Sequence, residues 1–149
     1  MRGLLFGADA QVRAWAERRF GLRAVSCDKA IGIIRTDTQE LVGAALFQFY
    51  SGYDVHFSYY GPNTASAGIA RAMALVAVRD FDAARVTVLT RRSHKRLIRW
   101  LTHVGFRLEG SQRCYYGRIN APRNAALRYA LFRPELARLA GLARAARAA

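Results

Sequence analysis

Lysine is almost missing from this chain. Only Lys29 and Lys95 occur in 149 residues, so 22 of the 24 cationic side chains are arginines. Acidic residues are scarce as well, ten in all, which leaves a formal net charge of +14. A surplus of that size draws in polyanions and speeds their encounter, so nucleic acid and anionic cofactors are the partners it favours. Cysteine is limited to Cys27 and Cys114, too far apart for a metal-binding spacing, and both read as reduced, packed thiols. His56, His94 and His103 are likewise too scattered for a ligand set. No apolar run approaches the roughly 20 residues that cross a bilayer. The stretch from Met1 to Gly7 is too short for a secretory signal, so the expectation is a cytoplasmic protein without a membrane segment. Neither a Gly-x-Ser-x-Gly elbow nor a Walker loop is present, which removes serine-hydrolase and P-loop readings.

What is present is enough for a packed core: 52% of the residues are hydrophobic and 11% aromatic. There is no internal repeat and no Ser/Gly linker, so residues 1–149 are read as a single domain. A short strand at Leu4 to Phe6 precedes a helix from Asp9, read as its cap, to Phe20, with Gly21 as its stop. Three strands follow, Ala30 to Arg35, Glu40 to Tyr50 and Tyr53 to Tyr60, the last two joined by a tight turn at Ser51-Gly52. A helix capped by Thr64 or Ser66 runs to about Asp80. Arg85 to Thr90 is a short buried strand, and Ser93 is read as the cap of a helix that Gly105 ends. Phe106 to Tyr116 and Ala125 to Phe132 are read as the last strands, Pro134 as a break, and Glu135 to Arg147 as a closing helix. The order β-α-β-β-β-α-β-α-β-β-α predicts a mixed α+β fold with a mostly antiparallel sheet, in which the strand after the second helix lies parallel to its neighbour.

The segment Thr90 to Gly110, TRRSHKRLIRWLTHVGFRLEG, resembles a stretch of the GCN5-related N-acetyltransferases, where a strand leads into a helix, a Gly-Phe turn and Glu-Gly. Arg99, Gly105, Phe106, Glu109 and Gly110 carry that likeness. GPNTASAGIARAMALVAV stands where this family has its acyl-CoA loop and helix, and ALRYALFRPE is similar to the last strand of small, often phage-encoded members. The likeness covers roughly Lys29 to Glu135. It implies a central mixed sheet flanked by helices and an enzyme that moves an acetyl group from acetyl-CoA to an amine.

The residues can be weighed against that chemistry. Asn63, Thr64, Ala65, Ser66, Ala67 and Gly68 lie at a helix N-terminus, whose unpaired N–H groups suit a pyrophosphate, and Arg71 lies one turn further on. Only one glycine of the family's usual loop pattern remains there. The resemblance places the pantetheine arm beside Phe57, Ser58 and Tyr59. His94 stands where the family has an asparagine, and Leu101 where many members have an acidic tyrosine. His94 and Arg99 are therefore carried as cofactor-side candidates. His56 shares one face of its strand with Asp54, Ser58 and Tyr60, titrates near neutrality and is the candidate base. Tyr115 and Tyr116 are the candidate acids in place of the missing tyrosine.

After residue 117 only Glu135 opposes Arg118, Arg123, Arg128, Arg133, Arg138, Arg144 and Arg147. A spacing of five does not line one helix face, yet it can form a basic rim. The rival expectations are therefore a non-catalytic nucleic-acid-binding protein on the same fold, and a homodimer formed through the last strands.

Overall fold

The computed structural model describes residues 1–22, 26–61 and 66–142. Their elements are β1 (Arg2–Leu5), α1 (Asp9–Phe20), β2 (Lys29–Arg35), β3 (Leu41–Gln48), β4 (Asp54–Tyr60), α2 (Ala67–Arg79), β5 (Arg85–Arg91), α3 (Lys95–Val104), β6 (Arg107–Gln112), β7 (Ala126–Phe132) and α4 (Arg133–Leu139), with a 3-10 turn at Pro122–Asn124. The strands form one sheet in the order β1-β2-β3-β4-β5-β7-β6. Every neighbouring pair is antiparallel except β4 and β5. That exception follows from the connection: β4 returns through α2, and a helical crossover delivers the next strand in the same direction. The fold is mixed α+β, as the alternation of elements predicts.

Two clusters of buried side chains divide the sheet. On one face Ile31, Ile33, Phe47, Val55, Val86, Val88 and Leu131 meet Ile69, Met73 and Ala77 of α2, Leu101 of α3 and Leu136 of α4. These strand residues alternate with those of the other face, as a period of two requires. On that second face α1 presses Val12 and Ala16 onto Ala30, Ala44 and Leu46. The small alanines let the helix approach closely. The helix reaches β2 and β3, and the buried clusters on this face contain no residue of β5, β7 or β6 among the described residues. Half of the sheet is thereby left without a helical cover. β6 closes the sheet as an edge with all six residues exposed, and a register shift between Leu108 and Gly110 interrupts its ladder. Such an irregularity discourages further strand pairing.

Four local expectations are corrected. Asp9 does not cap α1: Ala8 occupies that place, and the Asp9 carboxylate accepts from the Ala30 N–H at 3.0 Å, tying the helix to β2. Ser93 does not cap α3 either; His94 stands there, without a side-chain cap. Ser66 does cap α2, accepting from the Ile69 N–H at 3.2 Å. β6 stops at Gln112 rather than Tyr116, because Cys114 takes φ 54° and the N–H groups of Tyr115 and Tyr116 both donate to the Asn124 carbonyl, at 3.0 and 2.9 Å. The result is a turn where a ladder is expected. Finally, α4 begins at Arg133, with Pro134 inside its first turn, where proline has no hydrogen bond to lose. Residues 143–147 of the expected closing helix lie outside the described residues.

Candidate functional site

β4 and β5 pair at only three positions, Asp54 with Arg85, Val55 with Val86 and His56 with Thr87. Both strands then continue, β4 to Tyr60 and β5 to Arg91, but without each other. The cause lies in their outer neighbours. β4 stays registered on β3 through Tyr60, and β5 stays registered on β7 over its whole length. Each strand follows its own partner, and the sheet splits between them. A cavity of about 560 Å³ opens at the split, lined by Phe57, Ser58, Tyr59, Tyr60 and Gly61 from β4 and its end, and by Val88, Leu89, Thr90 and Arg91 from β5. Trp100, Leu101 and Phe106 are among its apolar lining residues, and His94, Arg96 and Tyr116 are among the polar ones. Its size and apolar lining, with a few polar groups, suit an elongated small ligand. Among the described residues, β4 and β5 share no paired position beyond His56 and Thr87.

The last paired position, His56 with Thr87, belongs to a polar cluster on the face that α1 leaves open. Thr87 is fully buried. Its hydroxyl donates to Asp54 Oδ1 at 2.7 Å and accepts from Arg85 Nη2 at 3.1 Å. Arg85 also forks onto Glu109, with Nη1 to Oε2 at 3.1 Å and Nη2 to Oε1. Its buried Nε lies 3.4 Å from Asp54 Oδ1, close enough for an ion pair but without hydrogen-bond geometry. His56 Nε2 is 3.4 Å from Asp54 Oδ2, and its ring meets Phe49 edge-on. Burial lowers the His56 pKa; the Asp54 carboxylate opposes this, and the cations Arg128 and Arg85 add to it. The imidazole is therefore biased to the neutral form, which is what a base requires. The Glu109 carboxyl is held below the ordinary range, chiefly by its hydrogen bonds from Arg85.

The other candidates fall at different distances from the cavity. Phe57, Ser58 and Tyr59 line it. The Ser58 hydroxyl donates to Gln48 Oε1 at 3.1 Å. His94, at the head of α3, lines it too and has Nδ1 3.3 Å from Thr90 Oγ1. Tyr116 is a lining residue, with the Arg91 guanidinium 4.0 Å from its ring centre; burial raises its pKa. Tyr115 packs edge-on against Tyr116 but is itself exposed and is not a lining residue. His56 stands at the apex of the split without lining the cavity. Arg99 is exposed on α3, away from the lining. Ser66, Ala67 and Gly68 form the start of α2, and the space beside Gly68 is open, with Ser66 Oγ 3.8 Å from where a Cβ would stand. The Arg71 guanidinium lies against Gly141, after α4. Asn63, Thr64 and Ala65 lie outside the described residues. Sequence reasoning passed over Arg91, Thr87 and Arg85, and read Arg128 only as part of a basic rim. The signal for them was the alternation of Arg85, Thr87, Leu89 and Arg91 in a strand read simply as buried.

Among the described residues no group of three His, Cys, Asp or Glu side chains is placed to hold a metal ion, and no helix is long and apolar enough to cross a membrane. No family model matches the sequence, and no curated protein matches it either. Solved structures do. The ribosomal-protein-S18-alanine N-acetyltransferase from Escherichia coli superposes with a TM-score of 0.60 at 15% identity, over 89% of this chain and 94% of that one. A GNAT-family acetyltransferase from Bacillus anthracis gives 0.55 at 15% identity, over 69% of this chain and 65% of its own length. A spermidine N-acetyltransferase chimera from Vibrio cholerae gives 0.61 at 8% identity, over 87% and 78%. The fold of the chain is that of the GCN5-related N-acetyltransferases.

Proposed function

We propose that this protein is an N-acyltransferase that takes the acetyl group of acetyl-CoA to an amine. The observation that carries the reading is the parting of β4 and β5 after three pairs, with a cavity between them. Acetyl-CoA supplies an activated thioester. In the reaction an amine nitrogen attacks the thioester carbonyl carbon; the C–N bond forms, the C–S bond breaks, the nitrogen gives up a proton and the thiolate takes one.

The β4 segment Phe57, Ser58 and Tyr59, which lines the cavity past the last β4–β5 pair, is the candidate wall for the pantetheine arm and for a donor to the developing oxyanion. The start of α2, with Ser66, Ala67 and Gly68 described and Asn63, Thr64 and Ala65 preceding it, directs its N–H groups and its positive dipole end toward a pyrophosphate. Arg71, one turn into α2, and Arg99, on the exposed face of α3, are the cationic candidates for it, each by reorienting its long side chain from where it now lies. His94 takes the place beside the split where the family has an asparagine. His56, neutral and at the apex, accepts the amine proton, directly or through water. Tyr116 is the candidate donor to the thiolate because it lines the cavity and stays protonated; Tyr115, exposed, supports its ring.

The reading as a non-catalytic nucleic-acid-binding protein ranks below this one. Arg118 and Arg123 lie in the region between β6 and β7, Arg128 on β7, Arg133 at the start of α4 beside Asp82, and Arg138 further along α4. They stand on several elements rather than along one track.

The test is thermal melting with acetyl-CoA, with ADP as the comparison. Ligand at 100 times its dissociation constant adds about 2.7 kcal/mol, about 5–10 °C for a domain of this size. A shift with acetyl-CoA well beyond that with ADP is expected, and no shift at millimolar acetyl-CoA would sink the proposal.

A further inference from the structure

Arg128 lies on β7, the last strand but one of the sheet, on the part of the α1 face that α1 does not reach, and is half-buried there. β7 runs between β5 and β6, and Arg128 is opposite Leu89 on one side and Gly110 on the other. The row at the apex is His56, Thr87 and Ala130. Arg128 is two residues further along β7, on the same face, in the direction in which β4 and β5 part. Arg128 does not line the cavity itself; it stands one strand beyond β5, beside the place where the split opens.

Its charge helps to lower the pKa of the Glu109 carboxyl from a distance, but no carboxylate among the described residues is in close contact with it. Among the described residues Arg85 has Asp54 and Glu109, Arg133 has Asp82, Arg13 has Glu17 and Lys29 has Asp80, whereas Arg128 makes no ion pair. Both carboxylates of the cluster are committed to Arg85. The charged groups facing His56 are Asp54 from its own strand, Arg85 from β5 and Arg128 from β7, with Glu109 of β6 bound to Arg85 beside them. A half-buried guanidinium without an anion is costly, and a bidentate oxyanion is the partner its planar fork matches.

Building on the acyltransferase reading, we propose that Arg128 is an acceptor-recognition residue, whose guanidinium binds a carboxylate or phosphate carried by the amine substrate. The acceptors are thus anionic amines. A polyamine, bringing only positive charge to Arg128 and the neighbouring Arg91, is disfavoured at the same place.

The deciding measurement is NMR of the histidine rings while inorganic phosphate is titrated into the protein without acetyl-CoA. Phosphate is expected to move the His56 resonances saturably and to raise the His56 titration midpoint, leaving exposed His103 unmoved. Arg128→Gln should abolish the response and, by removing a cation, raise the phosphate-free midpoint. Arg128→Lys should keep a weaker response, and the Arg133→Gln control a full one. Indifference of wild-type His56 to phosphate, or an unchanged response in Arg128→Gln, overturns the proposal.

A second arm follows thiol release from acetyl-CoA with O-phosphoethanolamine, β-alanine, ethanolamine or putrescine. Arg128→Gln should lower kcat/KM for the anionic amines roughly tenfold or more relative to that for ethanolamine, the loss of one charge-assisted pair. The ratio of phosphoethanolamine to β-alanine separates phosphate from carboxylate recognition. Faster turnover of putrescine than of both anionic amines would also overturn it. A chain that fails to bind acetyl-CoA but keeps the phosphate response of His56 would refute the transferase reading alone, so the two failures are distinguishable.

Discussion

Replacing Thr87 by valine keeps the shape of a fully buried side chain and deletes one hydroxyl. That hydroxyl donates to Asp54 Oδ1 at 2.7 Å and accepts from Arg85 Nη2 at 3.1 Å. Arg85 keeps Glu109, so its loss is small. Asp54 loses its short hydrogen bond from the buried end of the cluster and retains only the longer approaches of His56 and Arg85 Nε, both 3.4 Å. A hydrogen bond to a charged group contributes about 1.5–3 kcal/mol, so Thr87→Val should destabilise by about 2 kcal/mol. For a domain of this size that lowers Tm by about 4–8 °C. Urea unfolding is the assay, and the midpoint should move with an unchanged slope. A cycle with Asp54→Ala should show coupling of about 1 kcal/mol or more, since the two side chains share the bond. A loss below about 0.5 kcal/mol, within the range of an inconsequential substitution, or a cycle without coupling, would refute the reasoning that the Thr87 hydroxyl ties Asp54 into this cluster.

Leu101→Ala, at a 1% exposed position between α3 and the sheet, should cost about 2–5 kcal/mol in urea unfolding, and because Leu101 also lines the cavity it should weaken acetyl-CoA binding in the melting assay. Gly105→Ala places a Cβ at φ 108° and 3.1 Å from Glu135 Cγ; about 1–3 kcal/mol of strain is expected, read as a lower Tm. The pH dependence follows from two depressed values. His56 titrates below the ordinary histidine value of about 6.5, and Glu109 below the ordinary glutamate value. In both cases the unfolded chain takes up the proton first, so stability rises with pH across each window and is lost as pH falls through the folded value. Unfolding midpoints followed downward from pH 7 should fall first with His56 and again with Glu109; His56→Gln should remove the first step, and Arg85→Met should reduce the second.

Much of the fold is legible along the chain because it is set by local pattern. The apolar run in KAIGIIR, the alternation in DVHFSYY, the apolar stripe from Ile69 to Val78 and the glycine at position 105 each declare an element within a few residues of where it stands. Element ends were harder to read where a distant partner decided them. Asp9 has the side chain of a helix cap but spends it on Ala30, 21 residues away. Tyr115 and Tyr116 look like strand residues, yet Asn124 captures both their N–H groups. Of the candidate site, the resemblance pointed to the β4 segment, which lines the cavity, and the start of α2 was proposed because a helix N-terminus offers the same N–H groups whatever the side chains.

Composition and periodicity by themselves determined the order of the elements, the parallel relation of β4 and β5, and a cationic molecule with few carboxylates to spare. Tertiary structure decided where β4 and β5 part, because that depends on β3 and β7 holding them from outside, and no residue between Asp54 and Arg91 encodes it alone. It also decided which arginines are paired among the described residues. Arg85 and Arg128 are equivalent letters in the sequence, but Asp54 and Glu109 converge on the first and leave the second unpaired, since a salt bridge is a matter of distance in space rather than of charge along the chain.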